Sequence, residues 1–265
     1  HFLIYGAMFL GQYSVALAAA EELIEQIPED FLRVESPPFA DAAEAFVAMK
    51  QHVLVRFGKW QEIIDQDLPE DQDLYTATTA VMLYAKTVAN AALGNVAEAE
   101  AQRSAFLDAR DRVSDRRRVH NNTVLDLLTV AEAMIDGELA YRRGDHDEAF
   151  AHLREAVRRE DNLPYDEPWG WMQPTRHALG ALLLEQERYE EAEAVYRADL
   201  GLDDTLSRAT RHPNNLWSLH GLHQCLQQRG ETVESVMIKQ QLDLAVARSE
   251  VEIKASCYCH QAAMA

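Results

Sequence analysis

Residues 179–196, LGALLLEQERYEEAEAVY, decide the fold of this 265-residue chain. Apolar residues recur at helical spacing before and after Glu187-Arg188-Tyr189, so the stretch reads as two helices joined by a short turn. Tyr189 packs back on the pair, and the small Ala192 lets the two helices approach closely. The unit is a helix–turn–helix hairpin.

Working outward, the turn phrase recurs. It reads GQYSVA at 11–16, GKWQEI at 58–63, GNVAEA at 94–99, GDHDEA at 144–149 and, less well, GETVES at 230–235. In these copies glycine ends the first helix by accepting a left-handed backbone. Alternating strand patterns are absent.

The units resemble tetratricopeptide repeats. The best copy is Leu179-Gly180 followed by Glu187-x-Tyr189-x-x-Ala192-x-x-x-Tyr196. The fourth gives Gly137, Gly144, Ala149, Leu153 and Ala156, and the first gives Gly11, Tyr13 and Ala16 with Pro28 at the expected end. Successive turns lie 47, 36, 50, 43 and 43 residues apart. The family's usual repeat is about 34. The excess falls in longer first helices and in loops at 28–38, 161–170 and 201–214. From Tyr165 to Cys259 the chain is similar to a group of stand-alone bacterial tetratricopeptide proteins. These share a Tyr-Asp-Glu-Pro…Trp…Pro-x-Arg-His-x-Leu-Gly block and a C-terminal Ser-Cys-x-Cys. That likeness adds architecture more than function.

The resemblance implies an all-α fold, a right-handed superhelical solenoid of about six hairpins over residues 1–249. The units fall near 1–28, 38–70, 73–111, 120–161, 170–200 and 214–249, with a tail at 250–265. The helix around 231–249 is expected to cap the stack. Residue 1 is His and the apolar pattern begins inside a helix. A fragment or trimmed product is therefore expected, with an exposed apolar end at residues 1–10.

A net charge of −19 disfavours nucleic acid and anionic membrane surfaces as partners. No apolar run reaches the ~20 residues of a spanning helix. Three cysteines, with a late Cys257-x-Cys259, fit a reducing compartment and a cytoplasmic location.

In the tetratricopeptide family the first helix of each pair faces the groove. Carried over residue by residue, the inner face takes His1 and Tyr5, then His52 and Arg56, then Tyr84. Glu138, Tyr141 and Arg142 follow, then His177 and Glu185, then Trp217, His220 and Gln224. Counted from Gly221 instead of Gly230, the last unit offers Ser218 and Cys225. A face rich in His, Tyr and Arg on an acidic protein suits an acidic peptide, a small anion or a metal. It also suits the packed core of a narrow superhelix.

PYDEPWGWMQPTRHALG, residues 164–180, leads into the fifth unit. As packing, Pro168 holds an extended entry, Trp169 and Trp171 cover the helix start, and Pro174 sits in the first turn. Asp166 and Glu167 gain from the helix dipole. As a site, acids, Trp, Gln173, Arg176 and His177 converge at one groove end, with Arg176 forking onto a carboxylate.

The leading expectation is a non-catalytic binding scaffold for a protein or peptide segment or a small anionic ligand. Its groove contacts are His52, Arg56, Tyr84, Gln173, Arg176, His177, Trp217 and His220. Binding is expected to tighten as these His protonate at mildly acid pH. No cofactor is expected. The alternative is a metal- or thiol-dependent enzyme or metal-binding protein. It would use Cys257, Cys259 and His260 with His177 or His220, and a tail packed near His177 favours it. The spacing matches no standard zinc pattern, and the plainer expectation is a flexible tail with ordinary thiols. Arg116-Arg117-Arg118 reads as balancing the dipole of the preceding helix.

Overall fold

The computed structural model describes residues 1–260. It is all-α. Helix α1 (Phe2–Phe9) pairs with α2 (Tyr13–Glu25), and the short α3 (Glu29–Leu32) and α4 (Phe39–Ala43) follow. After a 3₁₀ turn at Glu44–Ala48 come α5 (Met49–Arg56) and α6 (Trp60–Asp65), then α7 (Thr76–Ala92) and α8 (Val96–Arg110). The remaining pairs are α9 (Val124–Arg143) with α10 (His146–Asp161), α11 (Thr175–Glu185) with α12 (Tyr189–Leu200), and α13 (Leu216–Gln228) with α14 (Thr232–Val246). The strands among the described residues are Arg118–Val119 and Asn122–Thr123, paired antiparallel.

Every turn of the repeated phrase has a left-handed backbone. Its φ is 71° at Gly11, 63° at Gly58, 80° at Gly94, 88° at Gly144 and 75° at Gly230. Glu187 takes the same role at φ 57° despite carrying a Cβ. That costs about 1 kcal/mol. Consecutive pairs pack through α8 on α9, α10 on α11 and α12 on α13, while α5, α7 and α9 lie side by side. A continuous apolar core runs from Ile4 to Cys259.

Helix N-termini are closed from neighbouring units. The buried Glu44 breaks the first helix of the second unit and accepts the backbone N–H groups of Thr78 at 2.8 Å and Ala77 at 3.1 Å, at the start of α7. Glu160 does the same for Thr175 at the start of α11, at 2.8 Å. Asp166 and Glu167 do not serve that helix. Asp166 is taken by the Asn121 backbone and the Asn122 side chain, and Glu167 by the Tyr165 hydroxyl. The cause is the loop path, which carries them toward the small strand pair.

Helix α14, the last of the pairs, exposes Val233, Val236, Met237 and Leu244. One further expectation is corrected. The basic run does not balance the end of α8. Arg116 pairs with Asp41 at 3.1 Å, Arg117 donates to the Leu74 carbonyl at 3.0 Å, and Arg118 joins the strand pair. Phe2 and Leu3 are exposed. Among the described residues no helix is long and apolar enough to cross a membrane.

Candidate functional site

The first helices of the pairs are covered by the chain's own segments. Helix α1 reaches across to the last pair, where the Trp217 indole N–H donates to the Met8 carbonyl at 2.9 Å. The loop before α11 fills the middle, with Trp171 edge-on to His52 and Tyr84. The tail fills the rest. It is pinned at the first turn, where Glu250 N–H donates to the Gly11 carbonyl at 3.1 Å and Ser14 donates to the Glu250 carboxylate. At the second turn Tyr258 lies on Gly58, where an added Cβ would meet it at 2.7 Å. Glycine there serves both the turn and the approach of the tail.

At the centre sits Arg56, buried and stacked on Trp217 with its guanidinium carbon 3.8 Å from the ring centroid. It donates to His177 Nδ1 at 2.8 Å and to the Ser256 carbonyl at 2.5 Å. Burial weighs against its charge and brings its pKa down to about 9, so it stays protonated at neutral pH. Because Arg56 can only donate, His177 must carry its proton on Nε2. That atom donates to Asp199 Oδ2 at 3.0 Å.

Asp199 gathers three segments. Besides His177 it accepts from His212 Nδ1 at 2.8 Å, the Asn215 amide at 2.9 Å and the Ser218 hydroxyl at 2.6 Å. Burial alone would raise its pKa, but the two imidazoles and their hydrogen bonds hold it well below the usual carboxylate range. Burial dominates at His177, which falls to about 4 despite Asp199. At His212 the pull of Asp199 overcomes burial and the pKa rises. The Tyr5 hydroxyl meets His212 Nε2 at 3.0 Å, and Phe9 stacks on the same ring.

The tail joins this network through Ser256. Its hydroxyl donates to the His177 carbonyl at 2.8 Å and meets the Tyr196 hydroxyl at 2.6 Å. Tyr196 fits only because glycines 180 and 221 flank it; a Cβ on Gly180 would come within 2.5 Å of its ring. Further along, Arg142 donates to the Cys259 carbonyl. Cys257 and Cys259 are joined in a disulfide. That corrects the expectation of a flexible tail with two ordinary thiols.

Of the residues singled out from sequence, Arg56, His177 and Trp217 meet in this one cluster. Tyr84 and Gln173 line a cavity of about 30 Å³ with Arg56, Glu138, His177 and Cys257. His52 is buried against Trp171, and its carbonyl accepts from Gln173 at 2.6 Å. His220 lies beside the tail at Lys254. Arg176 has its fork closed on Asp161 at 2.6 Å through both nitrogens. It therefore does not offer that fork to a ligand. The acid-pH switch is also corrected. Burial brings His52 to about 4, as it does His177, so neither gains a proton between pH 6 and 8, and burial also lowers His220.

Asp199, His212, Tyr196 and Ser256 were not legible as site residues. One signal was available for Asp199. It lies in the last turn of α12, where a carboxylate opposes the helix dipole and needs another reason to be there. Among the described residues, no three His, Cys, Asp or Glu side chains converge to hold a metal ion. A cleft of about 460 Å³ lies between α8, α9 and α10. Its charged residues pair with each other, Arg103 with Asp136 and Arg143 with Glu100. No protein-family model, curated protein or solved structure matches the chain.

Proposed function

We propose that the chain is a tetratricopeptide-like binding scaffold, a superhelical stack whose inner face holds an extended peptide or protein segment, with residues 250–260 as its resident occupant. The observation that carries this reading is how the tail is held. Arg56 and Arg142, from the first helices of two units, each donate to a main-chain carbonyl of the tail, at Ser256 and Cys259. Main-chain contacts supply affinity for any extended segment, and side-chain pockets supply choice. The pocket at Ser256 lies between the Tyr196 hydroxyl and the His177 carbonyl and admits a small hydroxyl residue. A partner therefore carries a small residue followed by Ser or its like. A small anion is less well served, because Arg56 and Arg176 already have partners within the chain. The low cysteine count supports a cytoplasmic setting as part of this reading, in which the Cys257–Cys259 disulfide is an exchanging bond rather than a structural one.

The test unseats the tail in the full-length protein. Ser256→Glu puts a charge into a buried position. A labelled synthetic peptide of residues 250–260 is then titrated by fluorescence anisotropy. The expected result is saturable binding to the folded variant, little binding to the wild type, and none for a peptide that itself carries Ser256→Glu. A folded variant with a freed tail and no affinity for the peptide would overturn the reading.

A further inference from the structure

We infer that Cys257 and Cys259 form a thiol–disulfide exchange site that accepts electrons from a dithiol or from two small thiols. The inference uses only the seated tail and does not depend on peptide capture from another protein. The two sulfurs are bonded to each other. Cys259 is fully buried and Cys257 is part-exposed, so an incoming thiolate reaches Cys257. Cys225 is buried and unbonded.

The surroundings suit thiolate and proton handling. The Cys259 backbone N–H donates to Cys257 Sγ at 3.1 Å. The guanidinium of Arg142 is held against the Cys259 carbonyl, and its Nε has no hydrogen-bond partner. On its inner side Cys257 borders the 30 Å³ cavity. That is room for about one water. Glu138 lines the same cavity, is 1% exposed, and has no hydrogen-bond partner for Oε2.

The charged and titratable groups around Glu138 come from several elements. Arg142 lies 3.8 Å away on α9, and Glu185 adds its charge from α11 with His260 of the tail beside it. Arg56 of α5, Tyr84 of α7 and His177 of α11 share the cavity. Burial, opposed by Arg142 and aided by Glu185, brings the Glu138 carboxyl up to about 7.

The chemistry balances as follows. A substrate thiolate attacks Cys257 Sγ, the disulfide breaks, and its electron pair leaves on Cys259 beside Arg142. A second substrate thiol gives its proton to solvent and attacks, as the thiolate, the substrate sulfur of the mixed disulfide. Cys257 then departs as a thiolate and takes the proton of Glu138. The substrate leaves as a disulfide, having lost two electrons and two protons. The pair holds both electrons as two thiols once the Cys259 thiolate has taken a proton from solvent, and Glu138 is reprotonated from solvent. Glu138 thus acts as the acid for the departing Cys257.

The experiment places the full-length protein in glutathione buffers of varied ratio between pH 6 and 8, followed by acid quench, alkylation and mass analysis. The pair is expected to follow the buffer ratio while Cys225 stays protected. Cys259→Ser should trap one glutathione on Cys257, at least about tenfold faster than Cys257→Ser traps one on Cys259. Glu138→Gln should slow exchange about 100-fold and flatten its pH profile, with Glu138→Asp restoring part of both. Tryptophan fluorescence verifies that each variant is folded. A pair that ignores the buffer ratio, equal trapping at both sulfurs, or an unchanged pH profile in Glu138→Gln would overturn the inference.

Discussion

Replacing Glu138 with Gln removes a buried carboxyl whose protonation is tied to folding. Burial holds it at about 7 in the folded chain against an ordinary value of 4.5. The folded protein keeps this proton while the unfolded chain releases it. The stability it contributes is therefore full below the ordinary value, is lost as pH rises from about 4.5 to 7, and stays lost above. The whole interval corresponds to about 3 kcal/mol, of which roughly 2 to 3 kcal/mol falls between pH 5 and 8. Arg142 does not prevent this, because at 3.8 Å its attraction recovers only part of what burial costs. The assay is urea unfolding of both proteins at pH 5 and pH 8. The wild type should lose that stability across the interval relative to Glu138→Gln. Glu160, also brought up to about 7 by burial, contributes the same slope to both proteins and cancels. Parallel pH dependence in the two proteins would refute the reasoning.

Gly180→Ala forces a Cβ to within 2.5 Å of the Tyr196 ring. It should cost about 1–3 kcal/mol in thermal unfolding. Gly6→Ala meets nothing within 4 Å and lies inside a helix. It should be neutral or stabilising by up to about 1 kcal/mol. Asp199→Asn removes the carboxylate shared by His177, His212, Asn215 and Ser218. It should cost about 3–5 kcal/mol at pH 7. Because the folded-state pKa of Asp199 is depressed, its contribution is present above the ordinary Asp range and lost as pH falls through the lower folded value. The stabilities of wild type and Asp199→Asn, followed by urea unfolding, should therefore converge in acid.

The hairpins were legible because each rests on a local rule. A left-handed turn residue, a packing residue two places on and a small residue five places on leave their marks within six letters. Glu187 was legible by alignment with the glycine turns, although its own side chain argues against that backbone. The same register picked out first-helix residues that are buried, such as Arg56 and His177. What they face was not legible, since Arg56 meets Ser256 and Trp217 meets Met8 across about 200 residues of sequence. No periodicity within a repeat encodes that the ends of the stack and the tail close over the middle. The His residues were misread for the same reason. Their chemistry depends on burial by distant segments, which removes the proton that an open groove would allow. Arg176 was misread because its acid, Asp161, lies at the end of the preceding helix and takes the fork first.

The claim that the tail occupies the inner face is tested most directly by hydrogen exchange of residues 250–260 in the intact protein, compared with Arg56→Met. The expected result is exchange in the wild type at least about tenfold slower than in the free peptide, with much of that protection lost when Arg56 no longer holds the Ser256 carbonyl. Exchange of the wild-type tail at the free-peptide rate would contradict it.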